Sequence, residues 1–270
     1  MIRVAHLTIV LFLCVAALLG CAQPMPALPA VALATGVSQS VLWVGNSFFY
    51  YNNSMHGHVA LLSASLADRP TLRGTSVTMS GSGLDWHDIE SLLRRNGIGR
   101  YSFVGDNEIR FNPTGRQYDT VIMMDCSQCP NHPELQKNFF DTVQKNGDIL
   151  RRNGARGALF MSWAYKDKPE MTRQLAEQYM RAGRDNDMLV IPAGIAFANA
   201  IARRPDLELY QPDKRHPSLA GTYLAANTAY AALTRKSPVG AKYTAGLPME
   251  TAGLLQQIAW DTVQDFVKDR

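Results

Sequence analysis

The sequence predicts an α/β layer fold built on a parallel sheet, and three observations carry that reading. Short apolar runs of strand length alternate with longer amphipathic stretches, the order in which strands and crossover helices follow one another. Most of the short runs are continuously apolar, as strands covered on both faces require. The 270 residues, 46% of them hydrophobic, are enough to bury one large core, and no linker after residue 40 suggests a second domain.

Before residue 40 the chain has a different character. "MIRVAHLTIVLFLCVAALLGCAQP" opens with Arg3 and is apolar from Leu7 to Leu19, which is short for a bilayer span but the length of a secretory h-region. Residues 1–20 therefore read as a signal peptide. Leu18-Leu19-Gly20-Cys21 resembles a bacterial lipobox, with Cys21 lipidated; an ordinary signal peptide cut near the same point is the other reading. Residues 21–39, rich in Pro and Ala, then read as a tether, and 40–270 as the folded domain. The expectation is export to the periplasm or cell envelope, with a membrane anchor on Cys21 if the lipobox is used. The net charge of +4 is interspersed, with no basic run of five, so nucleic acid is not an expected partner.

Five strands are expected, at Val41–Gly45, Thr75–Met79, Thr120–Met124, Ala158–Trp163 and Met188–Pro192; the second is the least apolar. Helical patterns occupy Ser54–Leu66, Leu84–Arg95, Pro133–Arg152, Pro169–Gly183, Ser218–Thr234 and Met249–Lys268. The run "ILRRNG" at Ile149–Gly154 is a helix stop, its arginines facing the negative helix end and Asn-Gly supplying a left-handed cap. Between the second and third strands, "RYSFVGDNEIRFN" (Arg100–Asn112) alternates around Gly105-Asp106-Asn107 and predicts a β-hairpin.

Of the four cysteines, Cys14 leaves with the h-region and Cys21 belongs to the lipobox. Cys126 and Cys129 form "CSQC", for which a disulfide is the first expectation in an exported chain. A redox motif would open a helix, whereas Pro130 and Pro133 suggest a loop. Zinc would want a second ligand pair at matching spacing, and none is present in the sequence.

The chemistry begins where "VLWVGNSFFYYNN" carries the first strand into Gly45-Asn46-Ser47. A serine there sits at the carboxyl edge of a sheet, the usual site of ligands in open α/β folds. A serine hydroxyl needs a base to become a nucleophile. In "YQPDKRHPSLAGTYLAANTAYAAL", Asp213 and His216 lie three apart on a Pro-bounded loop before a helix. An aspartate so placed can accept the imidazole Nδ1–H and leave Nε2 outward as a base. A capped turn beside a solvated ring is the plainer reading of that pair taken alone.

Together these fragments resemble the SGNH (GDSL-like) hydrolase family, from Val41 to about Leu233. The resemblance rests on Gly45-Asn46-Ser47 after the first strand, a glycine after the second, and Asp213-Lys-Arg-His216-Pro-Ser followed by Gly221-Thr-Tyr-Leu-Ala. It implies a three-layer flavodoxin-like fold: a five-stranded parallel sheet, order 2-1-3-4-5, with helices on both faces. It further implies ester hydrolysis without a metal or other cofactor, with Ser47 as nucleophile, His216 as general base and then acid, and Asp213 orienting the ring. The oxyanion hole would use the backbone N–H groups of Ser47 and Gly81. Here the sequence departs from the family, whose third donor is an asparagine in a G-x-N-D block: this chain has Asp125-Cys126-Ser127-Gln128, making Ser127 and Gln128 the candidates, with Asn131 beyond.

Trp86 and His87, and Trp163 after the fourth strand, are candidate substrate contacts. His56 and His58 point apart on a helix and make a poor metal pair. "GNSFF" is not the G-x-S-x-G elbow of α/β-hydrolases. The expected activity is a serine esterase acting on an acyl or acetyl ester, with a small-molecule or glycan ester as substrate. An acyltransferase on the same scaffold, or a silent glycan-binding envelope lipoprotein, are the alternatives.

Overall fold

A computed structural model describes residues 40–66, 72–94, 97–98, 101–111 and 118–268. The expected signal peptide, tether and Cys21 lie outside the described residues.

A five-stranded parallel sheet forms from β1 (Ser40–Gly45), β2 (Arg73–Thr78), β5 (Thr120–Met123), β6 (Arg156–Phe160) and β7 (Leu189–Ile191), in the order β2-β1-β5-β6-β7. Numbering the sheet's own strands, this is 2-1-3-4-5. The remaining two strands, β3 (Tyr101–Gly105) and β4 (Glu108–Phe111), pair only with each other, as an antiparallel hairpin.

Direction in the sheet decides which face each helix covers. From β1 the chain passes through α1 (Ser47–Tyr50) and α2 (Met55–Ser65) to β2 on one side. From β5 it steps the other way through α4 (Gln136–Arg152) to β6, then through α5 (Met171–Asp185) to β7. Right-handed crossovers in opposite directions put α2 on one face and α4 and α5 on the other. The point of reversal, between β1 and β5, is where a doubly wound sheet opens a crevice at its carboxyl edge. Both strands there are buried, with Val44, Ile122 and Met123 at 0% exposure, which explains their continuous apolar sequence. The edge strand β2, "RGTSVT", is only half-buried and can afford its polar residues.

The last helices are α6 (Ala193–Arg203), α7 (Leu219–Thr234) and α8 (Met249–Lys268). Helix α7 is buried all round from Ala220 to Leu233, packed among α2, α6, α8 and β7. The sequence pattern predicts α7 and α8 but no helix at α6. Its first turn contains Gly194, a poor helix former, which is there because a side chain would strike the Ser162 carbonyl oxygen at 2.2 Å. The single helix expected at Leu84–Arg95 is instead a 3₁₀ turn at Leu84–Trp86 followed by α3 (Ile89–Leu93). Polar side chains interrupt it: Asp125 accepts from Leu84 N at 2.8 Å, and Asp88 caps α3 by accepting from Ser91 N at 3.1 Å.

Candidate active site

Three loops meet at the carboxyl edge, and Asn46 joins them. Its Oδ1 accepts from Phe48 N and caps α1, while its Nδ2 donates to Ser82 O after β2 and to Asp125 O after β5, both at 3.1 Å. Only an amide can accept on one side and donate twice on the other. Gly45 is required because a Cβ would stand 2.9 Å from the Phe49 ring, which packs edge-on against Trp43 and Phe160 in the core. The Gly-Asn-Ser sequence is thus a packing glycine, a three-loop tie and an 8%-exposed serine in the first turn of α1.

Ser47 Oγ lies 2.8 Å from His216 Nε2, and His216 Nδ1 is hydrogen-bonded to Asp213 Oδ2. A carboxylate can only accept, so Nδ1 carries the proton and Nε2 is left as the acceptor for the serine hydroxyl. Asp213 Oδ1 accepts from the backbone N–H groups of Arg215 and His216, both at 3.0 Å, folding the loop around the carboxylate. Burial works against ionisation of Asp213, but these bonds, led by that from the His216 ring, hold its carboxyl down at about 2. The loop is fastened further by Gln211 N to His216 O and by Lys166 N to Lys214 O, and Tyr210 bridges Pro217.

The segment that carries Ser47 also holds the His216 ring. Tyr51 stacks on the imidazole with ring centres 4.3 Å apart and an 11° interplanar angle, and Phe48 meets its edge at 5.4 Å. Next, Asn52, Asn53 and Ser54 all have positive φ, three left-handed residues in a row without a glycine. Such a run costs about 1–2 kcal/mol per residue, less for the asparagines, so surrounding bonds must hold it. Asn52 Nδ2 donates to Pro217 O at 2.9 Å and to Thr222 Oγ1 at 2.8 Å, tying the serine segment to the residue after His216. Asn52 O accepts from His58 Nε2, and His58 Nδ1 accepts from the Tyr243 hydroxyl at 2.8 Å. Burial lowers the His58 pKa, which suits this neutral, tautomer-fixed role.

The Ser47 and Gly81 N–H groups have no hydrogen-bond acceptor among the described residues. Gly81 has φ +70, and a Cβ there would meet nothing within 4 Å, so glycine serves the backbone conformation at an open position. Beneath it, Ser82 is fully buried and its Oγ lies 3.1 Å from His87 Nε2. Asp125 Oδ1 accepts from Leu84 N and Cys126 N, and burial raises its pKa. Cys126 and Cys129 are joined by a disulfide, which leaves neither as a thiolate for a metal.

Several expected site residues have other duties. Trp163 is not a substrate contact: it has 0% exposure, stacked between Phe48 and Phe197, with Nε1 donating to Arg215 O at 2.9 Å. It fastens the loop that carries His216. His87 is also buried, and the cleft it borders is lined by Asp85, Asn138 and Lys145, with no residue of the Ser47–His216–Asp213 set. Trp86, at 62% exposure, is open to solvent. Ser127 Oγ pairs with the Tyr165 hydroxyl at 2.7 Å, because the loop after β6 carries Tyr165 to it; the Arg215 guanidinium lies over the Tyr165 ring, 4.8 Å from its centre. Gln128 is exposed on a cleft with His132, Lys168 and Glu170, again apart from the triad. Sequence reasoning missed Tyr51 and Asn52, although an Asn-Asn pair after an aromatic run is a signal for left-handed backbone.

No family model matches the chain, and no curated protein does. Solved structures do. A protein from Slackia heliotrinireducens described as a candidate SGNH hydrolase is similar with a TM-score of 0.55 at 21% identity, over 73% of this chain and 99% of that one. A DUF4886 family protein from Bacteroides uniformis gives 0.57 at 18%, over 86% and 96%. An acetylxylan esterase from Geobacillus stearothermophilus gives 0.52 at 13%, over 74% and 96%. With the sheet order and the loops gathered at its carboxyl edge, this likeness shows that the chain has the SGNH-hydrolase fold.

Proposed function

We propose that the protein is a serine esterase that removes an acyl or acetyl group from a small-molecule or glycan ester. The observation that carries this reading is the continuous chain of bonds from Ser47 Oγ to His216 Nε2 and from His216 Nδ1 to Asp213. A likeness to an acetylxylan esterase whose catalytic variants replace a serine and a histidine supports it.

The chemistry follows from the proton positions. Ser47 Oγ attacks the ester carbonyl carbon while its proton passes to His216 Nε2. The carbonyl oxygen takes the negative charge against the N–H groups of Ser47 and Gly81. Asp213 and the Tyr51 ring face both favour the imidazolium formed at that moment. His216 gives its proton to the departing alkoxide, leaving an acyl-serine. Water then attacks that acyl group, losing its proton to His216, and the tetrahedral intermediate collapses to the carboxylic acid as His216 returns that proton to the departing Ser47 oxygen.

In place of the family's third donor, an asparagine, this chain has the Ser127 hydroxyl, which is shared with Tyr165. One missing donor is worth about 10²–10³ in rate, so a slower enzyme is expected. The same departure keeps acyl transfer as a second reading, in which a sugar hydroxyl replaces water. Export and lipidation at Cys21 belong to the proposal and place the substrate in the cell envelope.

The test is reaction with a serine-directed phosphonate beside Ser47→Ala protein, followed by acetate release from acetylated glycans. Labelling of the parent alone and release of acetate are expected. Equal ester cleavage by Ser47→Ala would sink the reading; acetate retained on an added acceptor sugar would turn it to transfer.

A further inference from the structure

Along the buried side of α4, Phe139, Val143 and Leu150 are apolar, and the helical period puts Asn146 in line between the last two. An apolar residue is expected there. Instead the amide is 2% exposed, and its Nδ2 has no hydrogen-bond partner among the described residues. A buried donor left unpaired is costly and calls for an explanation. Asn146 lines a cleft of 270 Å³ between α4 and the 3₁₀ turn Leu84–Trp86. The helix side of that cleft is polar throughout: Asn138, Asp141, Thr142, Lys145 and Asn146 recur at the three- and four-residue spacing of one helix face. Asp85 and His87 form the opposite wall.

The His87 ring has one settled side. Ser82 Oγ stands 3.1 Å from Nε2, 3.0 Å from Met79 O and 3.3 Å from Gly45 O. Carbonyl oxygens only accept, so the hydroxyl proton goes to one of them, and Nε2 supplies the proton shared with Ser82. Burial lowers the His87 pKa and keeps the ring neutral. Nδ1 is then a bare lone pair without a hydrogen-bond partner among the described residues. The cleft thus holds an unused acceptor on one wall and an unused donor on the other.

We infer that this cleft is a saccharide-binding site, which holds a neutral sugar ring between the His87 imidazole and the Asn146 amide. The lining selects the ligand. None of its residues is apolar, which disfavours an acyl chain, and the carboxylates of Asp85 and Asp141 outnumber the one cation, Lys145, which disfavours an anion. Among the described residues these carboxylates and His87 form no three-ligand set for a metal ion. A neutral molecule with several hydroxyls remains. Each sugar hydroxyl both donates and accepts, so it can accept from Asn146 while giving its proton to His87 Nδ1 or Asp85. The volume falls just under the range of about 300–1,000 Å³ that takes drug-sized ligands, which suits a single ring. Trp86, between Asp85 and His87 in the chain, is 62% exposed, and an indole face packs well on the C–H face of a pyranose. The 3₁₀ turn follows β2 and α4 follows β5, the two neighbours of β1, so the cleft begins at the sheet edge that carries Ser47. Resting on the esterase reading, it holds a second sugar of a glycan chain whose ester lies at Ser47.

The test titrates the Ser47→Ala chain with xylotetraose, chitotetraose and maltotetraose, followed by ligand-observed NMR. Binding of at least one at millimolar concentration is expected, weakened about tenfold or more by Asn146→Leu. Leucine completes the apolar stripe of α4, so the same variant should melt at the parent temperature or above it. Lost binding with retained or raised stability is a signature that a purely structural amide does not give. Trp86→Ala, at an exposed position, should weaken binding as well. No binding of any of the three, parent-like binding by either variant, or an Asn146→Leu protein that melts well below the parent overturns the inference. So does a preference for oligogalacturonate, which would make the ligand an anion. None of these measurements uses turnover. A parent that cleaves no ester leaves the saccharide site standing, and absent binding beside intact ester cleavage removes the saccharide site alone.

Discussion

The carboxyl edge of the sheet and the hairpin β3–β4 are built on opposite principles. At the carboxyl edge every loop is tied to another by side-chain bonds: Asn46 joins three, Asn52 fastens the serine segment to Pro217, and Trp163 holds the loop that carries His216. In the hairpin β3–β4, by contrast, aromatic residues stand exposed, and among the described residues the two strands contact chiefly each other. The difference teaches where precision is needed. A proton passed between Ser47 and His216 requires placement within a fraction of an ångström, whereas an exposed side chain answers to no such demand. Mutations in the two regions should therefore differ in kind as well as size.

The largest effects belong to the reacting pair. Ser47→Ala and His216→Ala should each lower kcat by about 10⁴–10⁶. The double variant should be little worse than either alone, because both residues serve one covalent route. Pre-steady-state ester turnover measures this, and additive losses would mean the two do not act together.

Asp213→Ala should cost less, about 10³–10⁴, since water or a backbone carbonyl can still hold the ring. Its pH signature is directional. The carboxyl is depressed from 3.8 to about 2, so its contribution to stability is whole above 3.8 and is lost only as pH falls through about 2. The acid limb of kcat/KM should accordingly show no break from Asp213 down to about pH 3. A break near 4 in that profile would show that Asp213 is not held as the geometry implies.

How much of this was legible beforehand depended on locality. That Ser47, His216 and Asp213 would meet was readable because Gly45-Asn46-Ser47 and Asp213-x-x-His216 are compact and sit at ends of elements. Four of the five sheet strands were readable from their continuous apolar runs, with the half-buried β2 the exception, and α6 was missed where Gly194 obeys the Ser162 carbonyl and not helix propensity. Trp163 looked like a cleft residue because its loop leaves the catalytic edge, but stacking on Phe48 and Phe197 is a long-range fact. The partner of Ser127 was equally hidden, since Tyr165 lies 38 residues away. Contacts between distant segments leave no periodicity to read.

The strap that sequence reasoning missed gives an intermediate effect. Asn52→Ala removes two hydrogen bonds and puts a Cβ residue at φ 53 without an amide. Turnover should fall about 10–100-fold with KM nearly unchanged, because the loop carrying His216 is misplaced and substrate contacts are not. Asn52→Gly separates the causes: it relieves the left-handed backbone while still deleting the bonds, so it should regain stability but not turnover. Recovery of turnover in the glycine variant would assign the effect to strain alone.

The smallest effect belongs to the hairpin, and it sets the scale for the rest. Phe103 is 74% exposed, so Phe103→Ser removes little buried area from the folded domain. In solution, stability should shift by no more than about 0.5 kcal/mol, and ester turnover should stay at the parent value. Denaturant unfolding and steady-state kinetics on a soluble ester read both. A loss of turnover would mean that the hairpin reaches the substrate, and a large loss of stability that the domain covers Phe103 in solution. Either result would erase the contrast between the two regions, because the aromatic face would then belong to the machinery or to the core.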